Sequence, residues 1–322
     1  MKFKVFSLLV VLIFSLGFGQ QATEGKLIFS HPDHSSLVFT YVGEIVNNKA
    51  NGYGQALGDD NSFYMGEFRQ NYFHGEGSYI WGVGDWEEDT YDGEWEFGKM
   101  SGEGMYRSAS GWQYEGKFKD GKKHGFGKYT YKDGSVYNGQ FHEDKKHGLG
   151  VMLWVSGARY EGEFKQGKRH GQGAYFYPSG SHYEGQWENG DCNGFGVLTY
   201  KDGRKEVGLF KDDQFIEAVD DQTLASIAWH YVEQLEDYFF AYKLYNLLLE
   251  RNPKDANGFY GKAVLFFMVE EYALALDEIQ HAIELNDKVA NFYELRGSIY
   301  ELLGELTKAE KDYAMSETLK SE

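Results

Sequence analysis

Cysteine and proline are nearly missing from this chain of 322 residues: there is one cysteine, Cys192, and there are three prolines. A single thiol excludes an intrachain disulfide and any metal site built on several thiolates. Long apolar runs are missing too, apart from Val5 to Phe18. That run is shorter than the roughly 18 apolar residues a membrane span needs. It follows Lys2 and Lys4 and ends at the small residues Gly17 and Gly19. Residues 1–19 therefore read as a signal peptide cleaved after Gly19, and export to the periplasm or the extracellular space is the expected localisation. Cys192 lies far from that cleavage point, so a lipid anchor on it is also excluded. Positive charge is scarce: 32 Lys and Arg stand against 50 Asp and Glu, a net charge of −18. Residues 217–322 alone carry 21 acidic and 9 basic side chains. Nucleic acid, which needs a basic surface, is therefore not an expected partner.

What the chain does have is glycine and aromatic rings, 41 glycines and 17% Phe, Trp and Tyr. They are periodic. Tyrosine recurs at Tyr41, Tyr64, Tyr91, Tyr114, Tyr137, Tyr160 and Tyr183, and every step is 23 residues except one of 27. Glycine follows two residues later, as in Gly116, Gly139, Gly162 and Gly185. An aromatic residue follows two beyond that, as in Phe118, Phe141, Phe164 and Trp187. Each unit then carries a Gly-x-Gly pair, and an eighth start, Glu206 to Phe210, lacks the tyrosine. The longer step holds four extra residues near Trp81 to Thr90.

Alternation puts Tyr160, Gly162 and Phe164 on one face of a strand. Gln166 to His170 reads as a turn and Gly171 to Tyr177 as a second strand, so each unit is a β-hairpin. Hairpins are marginal alone and must stack. Glycine between two aromatic positions leaves a slot in which a ring can lie over bare backbone, and it lets the sheet bend.

Tyr-x-Gly-x-(Trp/Phe) followed by Gly-x-Gly every 23 residues resembles the MORN repeat family over residues 41 to 210. The resemblance implies an elongated, curved antiparallel sheet that serves as a scaffold. It also implies contacts with proteins or with phospholipid.

From Asp220 the apolar residues recur three to four apart, as in a helix. The period becomes 34: Trp229, Ala263 and Gly297 align, as do Ala241, Ala275 and Ala309, and Tyr245, Ile279 and Tyr313. This resembles the tetratricopeptide (TPR) repeat, in units 222–255, 256–289 and 290–322. It implies a surface for a protein partner. Lys262 is followed one helical turn later by Phe266 instead of a polar partner, so the family's clamp for a terminal carboxylate is not expected.

The fold class is therefore α+β multidomain: a signal peptide (1–19), a segment capping the sheet (20–40), a sheet of MORN-type hairpins (41–216) and a TPR-like helical domain (217–322). Three consecutive units carry basic triples, Lys122-Lys123-His124, Lys145-Lys146-His147 and Lys168-Arg169-His170. They are the candidate anion-binding residues. The histidines recur about 9.6 Å apart, two strands at ~4.8 Å each, too far to share a metal ion. Trp112, Trp154 and Tyr175 to Tyr177 leave two readings open, sugar stacking or packing of ring on ring.

No Gly-x-Ser-x-Gly, His-Glu-x-x-His or phosphate-cradling loop is present. No cofactor and no catalytic residue is assigned. The expected function is a non-enzymatic scaffold for protein partners in the cell envelope or secreted space. The alternative is peripheral binding of an anionic lipid or other anionic ligand through the basic triples.

Overall fold

The computed structural model describes residues 23–28 and 37–321. The leader reading of residues 1–19 lies outside the described residues, as do residues 20–22 and 29–36 of the capping segment. The chain divides into two compact units, residues 1–216 and 217–322.

In the first unit sixteen strands, from Thr23–Ile28 to Lys205–Lys211, pair in sequence order. Each is antiparallel to the next. The strand Thr23–Ile28 lies against Val38–Val46, with Thr23 opposite Gly43 and Ile28 opposite Val38. Every hairpin has the same internal register. In the unit that starts at Tyr160, the strands Arg159–Lys165 and Lys168–Phe176 place Tyr160 opposite Tyr175 and Gly162 opposite Gly173. Beyond that pair the register shifts by a bulge, and Phe164 comes to face Arg169.

The turn is tighter than the sequence predicts. Only Gln166 and Gly167 lie between the strands, both at positive φ (52° and 87°). Two successive left-handed residues make the two-residue hairpin whose twist matches the flanking strands. Lys168, Arg169 and His170 therefore belong to a strand and not to a turn.

The tyrosine of each unit is fully buried. Its ring lies over the glycine pair, and a Cβ built on Gly173 would come within 2.7 Å of Tyr160 Cε2. The hydroxyl reaches the end of the slot, where Tyr160 Oη donates to the Glu163 carbonyl at 2.9 Å. Burial pushes the Tyr41 hydroxyl up to about 12, and it raises those of Tyr64, Tyr91, Tyr114, Tyr137 and Tyr160 in the same direction. From Tyr64 to Tyr183 each tyrosine meets two rings edge-on, one from its own unit and one from the next, while Tyr41, with Ile45 in its own unit, meets Phe68 of the next. Tyr114 contacts Phe118 and Phe141, each at 5.0 Å. Tyr137 contacts Phe141 at 5.2 Å and Phe164 at 5.0 Å. Tyr160 contacts Phe164 at 5.1 Å and Trp187 at 5.2 Å, and Tyr183 reaches Phe210 at 4.9 Å. Such edge-to-face pairs contribute about 0.5–1.5 kcal/mol each beyond the area they bury. The ring ladder is thus a continuous core for a single-layered sheet, and glycine is what makes room for it.

The second unit is six helices: α1 (Asp221–Glu233), α2 (Tyr238–Arg251), α3 (Ala256–Met268), α4 (Tyr272–Leu285), α5 (Ala290–Leu302) and α6 (Leu306–Ser321). Asp220, Asp237 and Asp255 cap the first three through their side chains. The aligned alanines Ala241, Ala275 and Ala309 are buried, which lets the paired helices approach closely. Gly297 makes room for Tyr313, since a Cβ there would stand 2.8 Å from Tyr313 Cε1. Among the described residues no helix is long and apolar enough to cross a membrane.

Candidate functional site

The strand alternation splits each basic triple between the two faces of the sheet. Lys123, Lys146 and Arg169 stand directly opposite Phe118, Phe141 and Phe164, so they share the ring face. Lys122, Lys145 and Lys168 stand opposite Lys119, His142 and Lys165 on the other face, where they are exposed. The three basic triples, one candidate set in the sequence, therefore form two rows on opposite sides. The cause is the two-residue turn, which starts the second strand at the first lysine.

On the ring face the three cations are half-buried over aromatic rings. Lys123 Nζ lies 5.3 Å from the Trp112 ring centre and 3.2 Å from Asp144 Oδ1. Lys146 Nζ lies 5.5 Å from the Tyr137 ring and 5.4 Å from the Phe164 ring. The Arg169 guanidinium covers Trp187 at 4.3 Å and Tyr175 at 5.2 Å, and donates to the Gly190 carbonyl. Burial, with Arg169 nearby, holds the Lys146 ammonium below its ordinary range. The same position carries Phe73, Met100 and Cys192 in other units. The row of cations is thus bounded at both ends by uncharged side chains.

Beside that row runs a trough of rings. Trp112 is stacked between Tyr106 (4.9 Å, 4°) and Tyr129 (5.3 Å, 14°). Trp154 packs on Tyr175 at 5.5 Å, and Tyr175 on Tyr177 at 4.7 Å. Ring-on-ring packing therefore occupies these residues. At one end the trough deepens into a cavity of about 450 Å³ whose wall includes Trp81, Trp86, Trp112, Met100 and Lys123. The four-residue insertion builds its rim. Buried Asp89 accepts from Tyr106 Oη at 2.5 Å and from the Ala109 backbone at 2.8 Å, which fixes the loop. Trp86 is left exposed on the rim.

The histidines lie elsewhere. His124 and His147 flank His142 at 5.1 and 5.6 Å between ring centres, and the Nδ1 of His147 is buried without a protein hydrogen-bond partner. Among the described residues no group of three or more His, Cys, Asp or Glu could hold a metal ion. In the helical unit, Lys262 is tied to Glu278 at 2.5 Å. The sequence did not single out Asp89, Trp86 or the pairing of Lys123 with Asp144. The anchoring of Asp89 and the Lys123 pair depend on contacts between residues about twenty apart.

A family model described as the MORN repeat matches residues 41–62, 64–86, 91–113, 114–136, 137–159, 160–182 and 183–203. Alsin from Homo sapiens and from Pan troglodytes is 40% identical over 73 residues, which is 22% of this chain and 4% of alsin. The helical unit has TPR-like structural neighbours. The second TPR of Spaghetti (RPAP3) bound to an HSP90 peptide is 18% identical, with 31% of this chain and 91% of that chain covered and a TM-score of 0.29. The translocator chaperone SycD of Yersinia enterocolitica type III secretion is 22% identical, with 31% and 76% covered and a TM-score of 0.30. Seven matched repeats, each realised as a hairpin in the same register, show that this chain belongs to the MORN-repeat proteins, with a TPR-like helical unit after the repeats.

Proposed function

We propose that the protein is a non-enzymatic interaction scaffold, exported through its N-terminal leader, and that the ring face of the sheet docks a segment of a partner protein. The observation that carries this reading is the trough itself. It joins a cavity of about 450 Å³ walled by tryptophans to a row of half-buried cations. Aromatic and Arg-rich concave surfaces are where protein segments find most of their binding energy. The helical unit supplies a second surface for a protein partner.

The test is photo-crosslinking in the native compartment. A benzophenone amino acid is placed at Trp86 on the trough rim or at Lys128 on the opposite face, and captured proteins are identified by mass spectrometry. The expected result is one partner captured from position 86 and not from position 128. Equal capture from both positions, or none from position 86, defeats the reading.

A second reading has its own observation. Lys119 stands opposite Lys122, and Lys165 opposite Lys168. Like charges directly across a ladder are destabilising, so an external anion would relieve them. This reading expects the protein to sediment with anionic vesicles at low salt. Lys→Glu at Lys122, Lys145 and Lys168 then abolishes the effect. No sedimentation of the unaltered chain removes it. The net charge of −18 weighs against it and favours the first reading.

A further inference from the structure

The three cations of the ring face are not equivalent. Lys123 is paired with Asp144, the second residue of the following turn. That residue also accepts from the Lys123 backbone N–H at 3.0 Å. One unit on, the same turn position is Gly167, and one further it is Gly190. Their backbone N–H groups donate to the carbonyls of Lys146 and Arg169, and no side chain is there to meet either cation. Among the described residues, neither Lys146 nor Arg169 has a carboxylate within ion-pair distance. In a protein with 50 acidic residues, two neighbouring half-buried cations without an acidic partner are conspicuous. Desolvated charge is costly unless it is paired. The rings beneath them offset only part of that cost.

The spacing limits what can pair them. Equivalent residues of successive hairpins lie about 9.6 Å apart, two strands at ~4.8 Å. A ligand running along the row must return the same side to the sheet at that interval. An α-helix does not: at ~1.5 Å per residue, 9.6 Å is about 6.4 residues, which is not a whole number of 3.6-residue turns. An extended strand does not either, because its third residue, ~10 Å along, points to the opposite face. A polyproline II helix does. It has three residues per turn and rises ~3.1 Å per residue, so every third side chain returns after about 9.3 Å. Aromatic-lined grooves are the surfaces that take such segments.

We infer, building on the docking reading above, that Lys146 and Arg169 bind the carboxylates of a proline-rich partner segment in polyproline II conformation with Asp or Glu at every third position. Successive acidic side chains pair with successive hairpins, and the residues between them lie on the partly exposed rings of Tyr131 and Tyr175. Lys123 needs no such partner, because Asp144 already serves it.

The experiment uses the chain lacking residues 1–19 and a fluorescent (Pro-Pro-Glu)4 peptide, read by anisotropy. Two control peptides carry Gln for Glu, or Glu at every fourth residue. Lys146→Met and Arg169→Met keep the packed stems, since methionine holds this position at Met100. The Glu peptide is expected to bind roughly tenfold more tightly than the Gln peptide, with the paired Met variant losing that margin. Lys→Met at Lys122, Lys145 and Lys168 leaves binding unchanged. Equal affinity for the Glu and Gln peptides overturns the carboxylate assignment and leaves the docking reading standing. Equal affinity for the four-residue spacing overturns the polyproline II register. Binding of phosphatidylglycerol vesicles alone, or of none of these probes, overturns the inference. The crosslinking at Trp86 then decides the docking reading separately.

Discussion

Replacing Gly173 by alanine is expected to destabilise the sheet by about 3 kcal/mol, the upper range for forcing a methyl group into a packed core. The loss should vanish once Tyr160 has been cut back to alanine. The reason is geometric. The new Cβ would stand 2.6 Å from Tyr160 Cζ and 2.7 Å from its Cε2, and that ring is fixed by two edge-on neighbours and its bond to the Glu163 carbonyl. It has nowhere to go. Tyr160→Ala alone is expected to cost about 3–5 kcal/mol, as for other large buried rings. In the double variant the alanine methyl enters the space that the ring has left. The two losses then fall short of additivity by about 3 kcal/mol, at the top of the range seen for residues in contact. Urea unfolding followed by tryptophan fluorescence measures this, since six of the seven tryptophans belong to the sheet. Simple additivity would mean that the ring does not occupy the glycine slot in solution.

Asp312→Ala is expected to destabilise the helical unit by about 3–5 kcal/mol, the cost of breaking a buried ion pair from one side. Asp312 is 6% exposed. It accepts from Arg296 Nε at 2.7 Å and from Arg296 Nη2 at 2.8 Å, joining α6 to α5. The Arg296 Nη1 donates to Gln280 on α4 at 2.7 Å. Removing the carboxylate leaves a guanidinium between three helices with a single neutral acceptor. Replacing both partners, with Arg296→Met and Asp312→Leu, should restore most of the loss, because no charge then remains to be desolvated. Urea unfolding followed by circular dichroism at 222 nm reports on this unit. A loss below 1 kcal/mol for Asp312→Ala would show that the arginine escapes to water.

Much of this architecture was legible in the residues. Tyr160, Gly162 and Phe164 share a face because a strand alternates, and their recurrence every 23 residues fixes a stack of hairpins. The 34-residue spacing of Ala241, Ala275 and Ala309 likewise marks the close approach of paired helices. The two faces of the basic triples were not legible. Whether Lys168 or Gly171 begins the second strand depends on the conformations of Gln166 and Gly167, and Gln166 is an unusual occupant of the left-handed region. A turn running through His170 would leave neither Lys168 nor Arg169 on a face of the sheet. The bulge after Gly162 adds Gly171 and Gln172 on the second strand, and the added pair keeps Arg169 on the face of Gly173 and Tyr175. The trough was also invisible, since the rim of its deepest part is built by an insertion whose anchoring acid, Asp89, reaches seventeen residues to Tyr106.

The seating of each tyrosine on the glycines of its own hairpin bears on how such a chain can lengthen or shorten over generations. Duplication or excision of a complete 23-residue segment leaves every surviving ring on its own seat and changes only which neighbours meet. An insertion inside a strand would turn every later side chain of that strand to the wrong side. The four additional residues of this chain sit in a loop beyond the end of a strand, where the repeat can absorb them. The number of units is therefore a trait that inheritance can vary cheaply, while the spacing inside each one is held fixed.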